Sequence, residues 1–180
     1  MTRRAPFLRA TRTVPEVSAS TEAEPQEVNA SAEETPVEET AAEPTYTVSE
    51  TLTRPVPGEV MTEFSDTPVY SETMRDYRVH AGTDYTAAHG ETVHACANGI
   101  VKETHTDMLR GNMIVIEHGD YEVRYCGLGE TFLVHEGDVV TAGQDIGSVT
   151  AAPFESALDS HLHIEVTRNG EPVDPESVFG

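Results

Sequence analysis

The chain has no tryptophan, only 6% aromatic residues, and a single lysine, Lys102, in 180 positions. A core built from this composition must be aliphatic and small. Positive charge is scarce as well: Lys+Arg number 11 against 32 Asp+Glu, giving a formal net charge of −21. Nucleic acid and anionic membrane surfaces are held by clustered basic residues, so neither is expected as a partner. Two cysteines, Cys96 and Cys126, are too few for a disulfide framework; the sequence leaves one bridge between them open, with free thiols the preferred reading. No apolar run approaches the ~20 residues of a transmembrane helix, so no membrane span is read in this chain. The opening MTRRAPFLRATRTV carries arginines but no apolar stretch, and it does not read as a signal peptide.

What is present falls into two textures. Residues 14–50 contain no Lys or Arg, recurring Glu, and prolines at Pro15, Pro25, Pro36 and Pro44. Such a stretch buries too little apolar surface to offset chain entropy, so residues 1–50 are expected to form a disordered acidic tail that acts as an extended spacer. Residues 51–180 are expected to fold. Short β-rich runs alternate there with turns at Gly99, Gly111, Gly119, Gly137, Gly143, Gly147 and Gly170. No sustained 3.6-residue apolar period occurs. The expected class is all-β, an antiparallel sandwich or barrel-like domain, with a hairpin turn at Asn169-Gly170.

Candidate chemistry begins with SHLHIEV, residues 160–166. In a strand, His161, His163 and Glu165 share one face, and Leu162, Ile164 and Val166 share the other. A core does not need two imidazoles side by side, although a solvated strand face would accept them. VHAGTDY places His80 and Asp84 four residues apart, with Gly82 between them permitting a tight backbone path. His and Asp both ligate zinc.

Several segments in order resemble the lysostaphin/LytM-type zinc endopeptidases, which cut peptide cross-links in bacterial peptidoglycan. His80-Ala81-Gly82-Thr83-Asp84 resembles the family's HxGxD segment. Gly90 to Ala95, Asn98 to Val101, and Gly111-Asn112 through His118-Gly119 resemble its strand segments. VHEGDVVTAGQDIG, residues 134–147, resembles its hairpin, and Val173-Asp174-Pro175 its closing VDP. The resemblance implies that His80, Asp84 and His163 ligate Zn²⁺, and that His161 stands beside the metal as a catalytic group. Glu165 is either an outer-sphere orienting residue or a plain surface acid. The family also implies an extracytoplasmic, cell-envelope location, with membrane anchoring in relatives.

Two departures stand out. The family's YxHL segment corresponds to Tyr125-Cys126-Gly127-Leu128, so Gly127 replaces a catalytic histidine. Loss of one such donor costs on the order of 10²–10³ in rate. Cys126 is expected on the opposite strand face from Gly127. The run before the HxH, residues 149–160, is bulkier and more acidic than in active peptidases. Together with Thr73 to Arg78, these departures resemble the degenerate LytM-like domains of the sporulation engulfment protein Q, which pair with a membrane-protein partner.

The expected function is therefore a zinc-binding, catalytically weakened envelope module, whose partner is a peptidoglycan peptide or a membrane protein. The alternative is an active zinc metalloendopeptidase working through His161 alone. Under the first reading, Gly127→His is expected to restore cutting. A biotinyl or lipoyl carrier needs a lysine in an exposed turn, whereas Lys102 lies in the strand-like IVKETH.

Overall fold

The computed structural model describes residues 45–49 and 51–180. The tail expected over 1–50 lies outside the described residues apart from 45–49. In that short piece Tyr46 accepts a hydrogen bond from the Gly119 N–H at 2.7 Å, and the Thr47 carbonyl accepts one from Asn98 at 3.0 Å.

The described residues form strands, turns and two 3₁₀ turns, with no α-helix among them. No helix there is long and apolar enough to cross a membrane. The chain runs through β1 (Val60–Thr62), a separate ribbon of β2 (Ser65–Ser71) and β3 (Asp76–His80), and then β4 (Thr83–Thr86) and β5 (Thr92–His94). Three long strands come next as a meander: β6 (Gly99–Asp107), β7 (Gly111–His118) and β8 (Tyr121–Leu128). After the short β9 (Val139–Val140) and β10 (Asp145–Ser148), a loop holding the 3₁₀ turn Pro153–Glu155 leads to β11 (His161–Arg168). β12 (Glu171–Val173) and a second 3₁₀ turn, Pro175–Ser177, complete the domain.

The main sheet is antiparallel in the order β1-β4-β11-β8-β7-β6-β9, with β12 beside the second half of β11. The turn at Asn169-Gly170 is tight because both residues take positive φ, 51° and 83°, the geometry that a two-residue hairpin with right-handed strand twist demands. The segment from Val134 to Gly147 is not a hairpin. Its two strands part, β9 pairing with β6 and β10 with β5. Each completes a different sheet edge, so the likeness of pattern did not carry the pairing.

The alternation read from SHLHIEV governs the core. Leu162, Ile164 and Val166 are wholly buried, against Tyr85, Ile114, Ile116, Val123 and Tyr125. Each such aliphatic side chain contributes about 1.5–3 kcal/mol over its exposed state. On the other face of the same strands lie Asp84, His163 and Glu165, beside a small apolar cluster of Met113, Val115 and Cys126. β11 is thus buried on both faces over six residues, and its polar face is interior. His118 belongs to the core side, held between the Asn98 carbonyl and the Tyr125 hydroxyl, and His135 is exposed. Lys102 lies within β6 and pairs with Glu117, away from any turn.

Candidate metal centre

The centre of the polar face is set by register. Asp84 of β4 and His163 of β11 are directly paired residues, and cross-strand partners project to the same side. His80 ends β3 and reaches the same point because the chain turns at Gly82. A Cβ at Gly82 would lie 2.4 Å from the Ile164 carbonyl oxygen and 2.7 Å from His163 Nε2. Only glycine lets this turn press against β11, so the glycine in HxGxD has a steric reason.

Four buried side chains offer donor atoms that all lie within 4.8 Å of one another: His80, Asp84, Glu155 and His163. His163 Nδ1 is 2.7 Å from Asp84 Oδ1, and His80 Nε2 is 3.3 Å from the same oxygen. The His80 Nδ1–H donates to the Glu63 carbonyl at 2.8 Å. That bond leaves Nε2 aimed at the centre. His161 is arranged alike, with Nδ1 against the Asp159 carbonyl at 2.7 Å and Nε2 3.2 Å from Glu155 Oε2. His161 therefore stands next to the group of four through Glu155.

Glu165 is 5% exposed, so it is no surface acid. Its carboxylate accepts from Arg110 at 2.7 Å, lies 3.5 Å from Arg124, and is 3.6 Å from His163 Nε2. It faces the back of the His163 ring, while Nδ1 faces the centre. Cys126 also differs from expectation. It is the cross-strand partner of His163 in an unbroken β8–β11 register, and β8 carries a bulge against β7 in which Cys126 and Gly127 together oppose Met113. The extra residue breaks the simple alternation there. Both cysteines are free and buried, and burial pushes the Cys126 thiol up to about 12.

Glu155 is not among the residues that the sequence singles out. It enters from the loop between β10 and β11, 7% exposed, with Oε1 3.2 Å from His80 Nε2 and Oε2 3.2 Å from His163 Nδ1. The loop's acidity is visible in the sequence, but no periodicity marks which acid turns inward. Gly127 lies beneath the same loop. Its φ is +71°, and a Cβ there would meet Ala152 N at 2.8 Å and Ala151 C at 3.0 Å. The space beside Gly127 is occupied by backbone, so Gly127→His does not simply restore an imidazole.

The electrostatics favour positive charge at the centre, carried by protonated imidazoles or by an ion in their place. Burial works against a charged His80 ring, yet Asp84 and Glu155 outweigh it and hold its pKa at about 9. Burial works against the Asp84 carboxylate, but His163, hydrogen-bonded to it at 2.7 Å, and the His80 ring 3.3 Å away hold it below its usual range. His80 Nε2 and Asp84 Oδ2 have no hydrogen-bond partner, and orphaned buried polar atoms are costly. Two imidazole nitrogens and two carboxylates suit Zn²⁺, and a dication matches the charge of the two carboxylates.

Comparison with known proteins bears on this geometry. The profile of Peptidase family M23 matches residues 78–175. The chain is 35% identical over 96 residues to the peptidoglycan DD-endopeptidase ShyA of Vibrio cholerae, covering 53% of this chain and 22% of that one. The chain thus spans under a quarter of that relative's length. A solved zinc-containing peptidase from Vibrio cholerae superposes with a TM-score of 0.62 at 28% identity, covering 71% of this chain and 39% of that one. A chain of the SpoIIQ–SpoIIIAH pore-forming complex superposes with a TM-score of 0.63 at 22% identity, covering 72% and 91%. At that identity the likeness is one of fold.

Proposed function

The chain belongs to peptidase family M23, and from that premise we propose that it is a zinc-binding cell-envelope domain whose hydrolytic power is reduced. His80, Asp84 and His163 hold the metal in this reading. Zinc, when bound, supplies a Lewis acid that lowers the pKa of a coordinated water. The protein's own residues orient the ligands and govern proton movement. His80 presents Nε2, with Nδ1 hydrogen-bonded to the Glu63 carbonyl, and His163 presents Nδ1, with the Glu165 carboxylate 3.6 Å from its Nε2 and no hydrogen bond there. His161 is the one further imidazole beside the group.

The observation that carries the reduced activity is Gly127. No side chain projects there, and Ala151 and Ala152 fill the neighbouring space. A site with one imidazole where two would share proton transfer and oxyanion support loses on the order of 10²–10³ in rate. The domain then serves by binding, its partner a peptidoglycan peptide or an envelope membrane protein. Digestion of purified peptidoglycan tests this: the protein carries about one zinc per chain and releases no muropeptides above a zinc-stripped control. Release at the rate of an active family member overturns the reading.

A second reading, an active zinc endopeptidase of peptidoglycan cross-links, is favoured by His161, whose Nε2 is already turned inward. It requires that His161→Ala abolish muropeptide release.

A further inference from the structure

We propose that Glu155 is a fourth metal ligand, carried by the loop between β10 and β11, and that this loop closes the position a hydrolytic water would need. The inference rests on the reading that His80, Asp84 and His163 hold the metal.

The distances suit a fourth ligand. Donors around a tetrahedral zinc sit at roughly 2.0–2.2 Å from the ion, which puts neighbouring donors about 3.3–3.6 Å apart. Glu155 Oε1 is 3.2 Å from His80 Nε2, and Oε2 is 3.2 Å from His163 Nδ1. Each Glu155 oxygen thus stands about one tetrahedral edge from a different imidazole nitrogen, as does Asp84 Oδ1 from His80 Nε2 at 3.3 Å. The 2.7 Å between His163 Nδ1 and Asp84 Oδ1 is a hydrogen-bond length that a shared ion lengthens. The chemistry agrees. Among the described residues, the ion-pair partners of Glu155 are the imidazoles of His80, His161 and His163, with no Arg or Lys in contact. His80 Nε2, itself buried, has no hydrogen-bond partner. Buried carboxylates and imidazole nitrogens this close are stable when they share a proton or a cation.

The loop is also anchored along its length. Thr150 N–H donates to the Gly127 carbonyl at 2.7 Å, and the Thr150 hydroxyl donates to the Gly127 and Leu128 carbonyls at 3.0 and 2.9 Å. Phe154 N–H donates to the Leu109 carbonyl at 2.9 Å, and Ala157 N–H to Thr73 Oγ1 at 2.9 Å. Between these anchors the Phe154 ring packs edge-on to His163, centroids 5.1 Å apart at 84°. The loop therefore spans from β8 to the turn joining β2 and β3, and its 3₁₀ turn drops Glu155 into the centre. Its path runs over Gly127, through the space that a side chain there would occupy. The missing imidazole and the inserted carboxylate are one feature. A centre with four protein ligands is of the closed, structural kind, whereas a catalytic one keeps a position open.

The test uses the full chain loaded with Co²⁺, titrated with azide as an exogenous ligand and read by visible absorption. Wild type is expected to keep its spectrum, and Glu155→Ala to change on azide addition. Glu155→Ala is also expected to lose its metal to dipicolinate faster, by on the order of ten- to a hundredfold. Glu155→Gln, which keeps the side chain's shape but not its charge, serves if the alanine variant does not fold, with faster metal loss to dipicolinate as its readout. Azide perturbing wild type as strongly as the variant, or unchanged metal loss in the variant, overturns the inference and leaves the three-ligand reading intact. Failure of wild type to bind Co²⁺ or Zn²⁺ overturns both.

Discussion

His80 and His161 each press Nδ1 against a main-chain carbonyl, and that contact decides which nitrogen faces the centre. Single residues also set the electrostatics. Burial alone would raise the Glu165 carboxyl, but His163 and Arg110 outweigh it and bring its pKa to about 2. Arg110, Arg124 and His163 are the charged or titratable groups that face it. A carboxyl lowered on folding contributes stability that is full above its unfolded pKa near 4.5 and lost as pH falls towards 2. Thermal unfolding of wild type and Glu165→Gln should thus differ at pH 6 and converge near pH 2. A difference that persists unchanged in acid contradicts this. At this scale the strand face of His161, His163 and Glu165 was legible, because period two needs only neighbours in sequence. The burial of Glu165 was not, since the cover over that face comes from Arg110 and the loop holding Glu155.

Among the elements, β8 and the loop from β10 to β11 act together. Cys126 faces His163 by plain alternation along β8, and Gly127, at the β8 bulge against β7, takes a positive φ. A non-glycine residue there costs about 1–3 kcal/mol in backbone strain, and its Cβ would press on Ala151 and Ala152 backbone. Gly127→His is accordingly expected to destabilise the domain by at least that amount in denaturant unfolding and to leave peptidoglycan uncut. A variant as stable as wild type that releases muropeptides contradicts the packing argument. A bulge is one residue inserted against a partner strand, so its effect on facing was hidden until the partner was known. The parting of β9 and β10 escaped for a similar reason: their pattern marks two strands, but pairing is settled by which edges remain open.

At the scale of the molecule, an antiparallel sheet with an aliphatic core on one side carries an interior polar face on the other. The all-β class was readable from short runs, turn residues and the want of helical periodicity. Convergence of His80, Asp84 and His163 was implied by family likeness, and the pairing of β4 with β11 supplies its physical basis. Glu155 lay beyond reach, since a loop has no period from which an inward residue can be read. The function proposed for the domain depends on these side chains gripping one divalent ion. Zinc content by mass spectrometry of wild type and His163→Ala is the decisive experiment. About one zinc per folded wild-type chain and near none in the variant is expected of a centre built on deprotonated ligands. Wild type without zinc, or a variant that keeps it, would mean that no such centre exists.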